Sequence, residues 1–241
     1  MISKNEIKLI RSLNRKKYRD EVGFFVVEGE KSVEEALRSG LEVIKVFLSS
    51  EIGEEAMSRI TLLSSPSPVL ALVRKPAAPE TSQIADLITS RPLSLALDSL
   101  RDPGNLGTII RLADWFGIEN IFASHDTVDC FNPKVVQASM GSIFRTKIIY
   151  CNLLQIASEF RTAGMPVFGT FLDGKSIYEE NLSTGGLIVM GSESNGISPA
   201  LESIVTHRLS IPSFSPSSDS APDSLNVAIA TAIICSEFRR R

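Results

Sequence analysis

The chain has 241 residues, of which 43% are hydrophobic and 22% charged, and its formal net charge is −3 at pH 7. This composition suits a globular protein of one large or two small domains and excludes collagen-like, disordered and membrane-spanning classes. The longest apolar run, residues 227–235, is too short to cross a bilayer and is interrupted by Thr231. The N-terminus lacks the apolar core of a signal peptide, so we expect a cytoplasmic protein.

Cysteine and histidine usage argues against structural metal sites and disulfides. Three cysteines, Cys130, Cys151 and Cys235, form no C-x-x-C pair and leave one over, which favours a reducing compartment. His125 and His207 stand far apart with no partner at ligand spacing. We therefore expect no bound metal.

The basic residues are concentrated at the N-terminus. Up to Arg19 the chain carries seven lysines and arginines against Glu6 alone, a net charge of +6, so the remaining residues sum to −9. A basic arm on an acidic body can bind phosphate locally, as in RNA. The alternative interpretation is a solvated helix face, and charge alone does not choose between the two.

The first third of the chain predicts a small α/β unit. Ile7, Leu9, Ile10 and Leu13 have the spacing of an amphipathic helix. Strands are expected at 24–27, 43–48 and 69–73, and helices at 29–38 and 51–58. A proline-rich joint at 75–79 then marks a boundary. We expect an N-terminal domain at 1–76, a linker at 77–92 with a helical turn at 84–88, and a second domain at 93–241.

From residue 93 onward, short strands alternate with helices. The expected strands are 93–98, 121–123, 146–150, 167–172, 187–190 and 208–211. Helices are expected from about residue 105, at 133–138, from 152, from 199 and from 224. This alternation predicts an α/β fold with a parallel sheet covered on both faces.

The stretch from residue 185 to 201 indicates a ligand pocket. An apolar strand at 187–190 runs into a sharp turn at 191–196 around Glu193, and Ser198 and Pro199 are suited to begin a helix. We expect this turn to offer free backbone N–H groups beside a carboxylate. Such a pocket at the carboxyl end of a strand suits a polar small molecule.

A second polar turn follows the strand at 93–98. Pro103 and Gly104 make it tight, and Asn105 is expected at the cap of the next helix. Arg111, in the second turn of that helix, gains nothing from the helix dipole and needs a partner. That partner is either a phosphate or carboxylate ligand or, on the residue alone the more favoured interpretation, an acidic neighbour in a salt bridge.

The final helix is apolar almost all the way round, which places it at a subunit interface or in the centre of the domain. Ser224 could serve only as its N-cap. Asn226 is expected one turn into this apolar helix, where a buried amide would need hydrogen-bond partners.

Three polar motifs follow one another in the chain: Asp102-Pro-Gly-Asn-Leu-Gly through Arg111, Gly191-Ser-Glu through Gly196, and Ile211-Pro212 with Ser224-Leu-Asn-Val. In this order they resemble the motifs of the SpoU (TrmH-like) ribose methyltransferases of the SPOUT superfamily. The N-terminal part is similar to the family's ribosomal-protein L30e-like substrate-binding domain, on Phe25-Val-Val-Glu-Gly and Leu70-Ala-Leu-Val-Arg-Lys-Pro. The resemblance covers nearly the whole chain.

This resemblance implies a C-terminal trefoil knot, a homodimer, S-adenosylmethionine as cofactor, and methyl transfer to a ribose 2′-hydroxyl of RNA, ribosomal RNA more than transfer RNA. The polar residues that it assigns to catalysis are Asn105, Arg111, Glu193, Ser224 and Asn226. The residues that it places around the cofactor are Thr170, Leu172, Gly191, Asn195, Gly196, Ile197, Ile211, Leu225 and Asn226.

Two departures and two rival functions accompany this resemblance. Ser194 replaces a glycine that many relatives have, and the loop 213–223 is longer than usual, so that it could act as a lid or impair the cofactor pocket. A non-catalytic RNA-binding or ribosome-assembly protein with the same knot is the main alternative. Residues 169–176 match the P-loop pattern G-x-x-x-x-G-K-S, but an apolar strand continues through them, which disfavours nucleotide hydrolysis.

Overall fold

The strands belong to two sheets, one antiparallel and one parallel. A computed structural model describes residues 2–77, 81–90, 93–215 and 224–240. The first sheet has three antiparallel strands and the second has six parallel strands. The predicted α/β architecture with a parallel sheet is therefore confirmed.

The N-terminal unit places helices around the three-stranded sheet, whose order is β1-β3-β2. Its elements are α1 (Lys4–Ser12), α2 (Lys16–Val22), β1 (Phe24–Glu28), α3 (Glu30–Arg38), β2 (Val43–Leu48), α4 (Ser49–Ile52), α5 (Glu54–Ile60) and β3 (Val69–Arg74). Sequence patterns did not predict α2, because its buried side chain is a charged one, Arg19. The predicted helix at 51–58 is two helices, since Gly53 between them has φ of 88°.

The parallel sheet has the order β6-β5-β4-β8-β7-β9. Its strands are β4 (Leu93–Leu97), β5 (Asn120–Ala123), β6 (Lys147–Tyr150), β7 (Val167–Ser176), β8 (Gly186–Met190) and β9 (His207–Ser210). Every residue of β4 and β8 is buried, which explains why all of them except Ser94 are apolar. The P-loop-like residues 169–176 lie within β7, so they form no phosphate-binding loop before a helix.

Helices cover both faces of this sheet. They are α6 (Thr81–Thr89), α7 (Pro103–Trp115), α8 (Pro133–Ser139), α9 (Leu153–Thr162), α10 (Pro199–Glu202) and α11 (Val227–Arg240). One apolar cluster holds α7, α8 and α11, and the other holds α6, α9 and α10. The expected linker thus contains a helix whose Ile88 is buried against the second cluster. No helix in the described part of the chain has the length and apolarity to span a bilayer.

The two units share an interface with buried and charged contacts. Phe25 of β1 stacks on Phe131 with ring centroids 4.6 Å apart, and both belong to the cluster beneath α7. The Arg19 guanidinium, 2% exposed, binds Asp129 with Nη2 2.6 Å from Oδ2. Arg145 bridges Glu35 of α3 and Asp114 of α7. The N-terminal unit is therefore packed directly against the layer that carries α7.

Candidate active site

Three loops meet at the carboxyl edge of the parallel sheet. Leu97 at the end of β4 is in register with Met190 at the end of β8, and Gly169 of β7 is in register with Val189. The loops after these strands therefore emerge side by side, although they are distant in the chain. This edge is where ligands bind in parallel α/β sheets.

The loop after β4 begins α7 with a side-chain cap, but Asn105 is not the cap. Asp102 occupies that position, and its Oδ1 accepts the Asn105 backbone N–H at 2.8 Å. Pro103 is the first helical residue, so the prediction of a helix from about 105 was wrong by two residues. Because Asp102 satisfies the backbone donor, the carboxamide of Asn105 is free for contacts outside the helix.

That carboxamide joins two distant loops. Its Nδ2 donates to Oε1 of Glu193, in the loop after β8. Its Oδ1 accepts from Nδ2 of Asn226 at 3.0 Å, just before α11. Three of the five residues predicted to act in catalysis thus form one hydrogen-bonded chain.

Asn226 itself caps α11 rather than lying inside it. Its Oδ1 accepts the backbone N–H groups of Ala228 at 2.9 Å and Ile229 at 3.3 Å. Asn226 is exposed, so the expectation of a buried amide one turn into the helix was wrong. Because the carboxamide oxygen of Asn226 caps the helix, its amide nitrogen points away from the helix and donates to Asn105.

The loop 191–196 is a tight, internally bonded turn. Ser192 and Gly196 exchange two backbone hydrogen bonds, and the N–H of Asn195 donates to the Ser192 hydroxyl. Three of the backbone N–H groups that the turn was expected to offer are therefore used within it. A Cβ at Gly191 would lie 2.2 Å from the Gly196 carbonyl carbon and 2.4 Å from the Ile197 nitrogen, so only glycine fits there.

Asp98 is a further site residue that the sequence did not single out. It follows β4, is 5% exposed, and its Oδ2 accepts the Ser198 backbone N–H at 2.7 Å. It therefore fastens the far end of the Gly191 loop to the central strand. The next residue, Ser99, has φ of 59°, a conformation rare outside glycine. A carboxylate directly after a buried, mostly apolar strand was the sequence signal that could have found it.

Arg111 lies in the third turn of α7, one turn later than expected. It is exposed, and within the described ranges no carboxylate lies within 4.0 Å of its guanidinium. The structure therefore supplies no salt bridge of the kind that the alternative interpretation required. Nor does it bring Arg111 into hydrogen-bond contact with Glu193 or Asn226, because the bonds described for those two residues go to other partners.

The residues predicted around the cofactor fall into two groups. Ile197 is 6% exposed and Thr170 donates its hydroxyl to the Val189 carbonyl at 3.1 Å, so their side chains are occupied within the protein. Leu172 and Leu225 are 80% and 45% exposed. Of the other members, Ile211 is partly buried against the core, and Asn195 and Gly196 are exposed. Ser224, which was predicted for catalysis, is also exposed. Most of the loop 213–223, residues 216–223, lies outside the described residues.

Two large apolar side chains remain uncovered on the helix pair α7 and α11, one near the start of α11 and one at the end of α7. Ile229 on α11 is 54% exposed and Trp115 at the end of α7 is 83% exposed, while Val227, Ile234 and Phe238 of α11 are buried. The final helix is thus buried on one side only. Its inner face has the predicted position within the domain, whereas a subunit interface stays a prediction.

Reactive and metal-binding side chains are sparse around the site. Burial raises the pKa of the Cys130 and Cys235 thiols to about 12 and that of Cys151 to about 11, so these thiols stay protonated. In the part of the chain that the structure describes, no three potential metal ligands cluster. The absence of a metal site stays a prediction.

Two family models match the chain. The SpoU rRNA Methylase family matches residues 92–236, which contain all three motif loops. The MRM3-like substrate binding domain matches residues 4–77, the N-terminal unit.

Individual relatives match over the full length. The 23S rRNA (guanosine(2553)-2′-O)-methyltransferase RlmP of Bacillus subtilis is 31% identical over 98% of this chain and 97% of its own length. A putative RNA methyltransferase of the TrmH family from Porphyromonas gingivalis superposes with a TM-score of 0.86 and 39% identity, covering 100% of this chain and 99% of that one. The AdoMet-bound rRNA methyltransferase of Sinorhizobium meliloti gives 0.85 and 32%, covering 100% and 96%.

Proposed function

The chain belongs to the SpoU rRNA methylase family, and we propose on that basis that it methylates a ribose 2′-hydroxyl of ribosomal RNA. It is an S-adenosylmethionine-dependent RNA 2′-O-methyltransferase, as are its named relatives. Ribosomal rather than transfer RNA is favoured because the full-length relative is named for 23S rRNA.

The observation that carries the proposal is the hydrogen-bonded chain from Asn226 through Asn105 to Glu193. It joins the loops of all three motifs at the carboxyl edge of the sheet. A protein that had kept only the fold would have no need for three polar side chains to converge there. This convergence favours an enzyme over the non-catalytic alternative.

The residues at this edge fit S-adenosylmethionine, which supplies a methyl group bound to a positively charged sulfur. Leu172 and Leu225 offer exposed apolar side chains, as an adenine ring requires. The Thr170 hydroxyl is used within the protein, which leaves backbone groups of β7 and of the loops for polar contacts. Gly191, Asn195, Gly196, Ile197, Ile211, Leu225 and Asn226 complete the proposed binding set.

In the proposed mechanism, the protein aligns the ribose hydroxyl with the methyl group and helps it lose its proton. The hydroxyl oxygen forms the new bond to carbon while the carbon–sulfur bond breaks, and the hydroxyl proton leaves to water or another acceptor. Arg111 is a poor base because a guanidinium stays protonated. It instead binds the adjacent phosphate and stabilises negative charge on the attacking oxygen. Asn105, Glu193, Ser224 and Asn226 hold the surrounding loops and orient the sugar.

The proposal includes a C-terminal trefoil knot and a homodimer. In support of the knot, β9 lies at the sheet edge, yet α11 after it packs against α7, which follows the central strand β4. In support of the dimer, Ile229 and Trp115 leave apolar surface on this same helix pair. A partner subunit on this surface would lie next to Arg111.

The proposal divides the chain into an L30e-like RNA-binding domain at 1–76, a linker at 77–92 and the methyltransferase domain at 93–241. The match of residues 4–77 to a substrate-binding domain supports the first part. The three free thiols support a reducing compartment, which in this proposal is the cytoplasm.

Methyl transfer to total RNA tests the function directly. Purified protein is incubated with labelled S-adenosylmethionine and ribosomal RNA, and the product is mapped by the resistance of one ribose linkage to alkali. We expect label at one position of ribosomal RNA. Binding of cofactor and RNA without methyl transfer would instead support the non-catalytic alternative. Methyl transfer to a base would refute the 2′-hydroxyl as the methylated group.

A further inference from the structure

A basic cavity lies in the N-terminal unit, away from the three motif loops. It is an open, solvent-facing cavity of about 670 Å³ between α1 and α2, and its lining includes Asn5, Lys8, Arg11, Asn14, Arg15 and Tyr18. This volume lies within the roughly 300–1,000 Å³ of small-molecule sites. We call it the arm cavity.

The cations of the arm cavity are not neutralised within the protein. Glu6 is the only acid up to Arg19, and it accepts from Ser3 and from Lys45 on β2. Two other basic residues of the arm are paired, Lys16 with Asp20 and Arg19 with Asp129. Lys8, Arg11 and Arg15 are exposed and form no ion pair with any carboxylate in the described ranges.

The arm cavity also offers groups that recognise bases. Tyr18, 36% exposed, presents an aromatic ring among these cations. Asn5 and Asn14 add carboxamides, which can both donate to and accept from base edges. Proteins bind unpaired nucleotides with this combination of cations along the backbone and aromatic rings under the bases.

Arg19, the residue after Tyr18, connects the wall of the arm cavity to the catalytic unit. Arg19 donates from Nη1 to the Leu13 carbonyl at 2.7 Å, which holds the turn between α1 and α2. It also donates from Nε and Nη2 to Asp129 at 2.9 and 2.6 Å. Asp129 precedes α8, which packs against α7. The cavity is therefore held at a set position relative to Asn105 and Arg111.

We propose that the arm cavity binds an unpaired nucleotide of the substrate RNA, separate from the nucleotide that is methylated. Its phosphates lie against Lys8, Arg11 and Arg15, and its base stacks on Tyr18. This inference rests on the proposed function, since it takes the substrate to be RNA. Because the cavity is fixed to the catalytic unit, the distance between the two nucleotides selects the methylated position.

The salt dependence of RNA binding tests the phosphate contacts. A short labelled single-stranded RNA is titrated with the protein at several salt concentrations, and fluorescence anisotropy gives the affinity. Each lost phosphate contact lowers the slope of log affinity against log salt by about 0.7, so Lys8→Gln/Arg11→Gln/Arg15→Gln should lower it by about 2. The matched control Lys31→Gln/Lys147→Gln/Arg161→Gln loses the same charge at exposed positions elsewhere and should keep the wild-type slope. Equal slopes in the two triple variants would overturn the proposal.

Tyr18 tests the stacking contact. We expect Tyr18→Ala to bind the single strand roughly 5- to 150-fold more weakly without a change in salt slope, and Tyr18→Phe to bind normally. Circular dichroism checks that both variants fold. Wild-type affinity in Tyr18→Ala would contradict the proposed base site.

Methyl-transfer kinetics separate this inference from the function that it rests on. If both hold, the Lys8/Arg11/Arg15 variant raises KM for ribosomal RNA and leaves kcat unchanged at saturating RNA. If only the function holds, KM does not change. If the wild-type protein methylates no RNA, the proposed function is wrong, while the anisotropy titrations still test whether the cavity binds RNA.

Binding to phosphatidylserine vesicles tests a lipid ligand for the same cavity. If the wild type binds these vesicles and the triple variant does not, while RNA affinity is the same in both, the cavity binds lipid and the proposal is overturned.

Discussion

Asn105 and Glu193, 88 residues apart in the chain, are joined by a hydrogen bond from the carboxamide of one to the carboxylate of the other. The same carboxamide accepts from Asn226, which lies 121 residues after Asn105 in the chain. Asn105 can bridge the two because an amide both donates and accepts, which neither aspartate nor leucine of similar size can do. The two side-chain hydrogen bonds, and not helix capping, therefore explain why asparagine occupies position 105.

Exchanging donor and acceptor between Asn105 and Glu193 tests this bridge. Asn105→Asp places two carboxylates against each other, and we expect the affinity for S-adenosylmethionine, measured by calorimetry, to fall about 10- to 100-fold. Adding Glu193→Gln places an amide donor opposite the carboxylate introduced at position 105. The double variant should therefore recover most of the affinity for S-adenosylmethionine. A double variant whose loss equals the sum of the two single losses would show that the residues act separately.

Arg111 is expected to act on transfer and not on cofactor binding. Arg111→Ala should lower kcat by about 10²- to 10³-fold, the range seen when one oxyanion-stabilising donor is removed. Cofactor affinity should stay nearly unchanged, because among the described residues Arg111 forms no hydrogen bond or ion pair with the loops of the site. Arg161→Ala, on the exposed side of α9, is the control for loss of an arginine. An active Arg111→Ala enzyme would refute the assigned role.

Much of the fold was predictable because buried parallel strands have mostly apolar sequences. The positions of β4 and β8 follow directly from that pattern, whereas the antiparallel strand β2, which is only partly buried, was predicted from its alternation. Helix α2 was missed because its inward side chain, Arg19, is charged, and only Asp129 in a distant loop makes that burial favourable. Local sequence does not reveal such a partner.

The site was predictable as a set of residues but not as a geometry. The motifs named Asn105, Glu193 and Asn226, whereas their mutual contacts depend on the order of strands in the sheet. Capping was misassigned twice, because Asp102 and Asn105, like Ser224 and Asn226, are all good caps by residue type. Asp98 was missed because its partner, the Ser198 backbone, is 100 residues away.

Alanine substitutions at two glycines of one loop, Gly191 and Gly196, distinguish the effect of a steric collision from that of backbone strain. Gly191→Ala would drive a methyl group into the Gly196 backbone, so the loop must open and we expect cofactor binding to be lost. Gly196 has φ of 64° but open space around it, so Gly196→Ala should cost only about 1–2 kcal/mol and keep measurable binding. Calorimetry measures binding, and urea unfolding checks that both variants fold. Equal cofactor affinity in the two variants would contradict this assignment.

The buried ion pair between the two units is expected to matter for stability. Arg19→Met leaves Asp129 buried without its partner, so the free energy of unfolding should fall by about 3–5 kcal/mol in a urea titration. Arg19→Met/Asp129→Leu removes both charges and should lose less than Arg19→Met alone. A double variant less stable than the single one would mean that the two residues are stabilised by other contacts.

Glu28 should make stability depend on pH in a direction opposite to that of most carboxylates. Burial raises the pKa of Glu28 above its ordinary value of 4.5, although Thr61 and the Leu62 backbone donate hydrogen bonds that lower it. An acid with a raised pKa favours folding while it is protonated, so its contribution is present below 4.5 and is lost as pH rises through the raised value. Glu28→Gln is neutral at every pH and can keep both hydrogen bonds, because its amide can donate to the Thr61 hydroxyl.

Urea unfolding of wild type and Glu28→Gln, from below pH 4.5 to neutral pH, isolates this contribution because all other titrating groups are shared. We expect the stability of the wild type to decline relative to the variant as pH rises above 4.5, and then to level off once Glu28 is ionised. Parallel stability curves would show that burial of the Glu28 carboxylate is fully compensated by its two hydrogen bonds. A wild type that instead gains stability over the variant as pH rises would mean that the folded protein lowers the pKa of Glu28, the reverse of the burial effect.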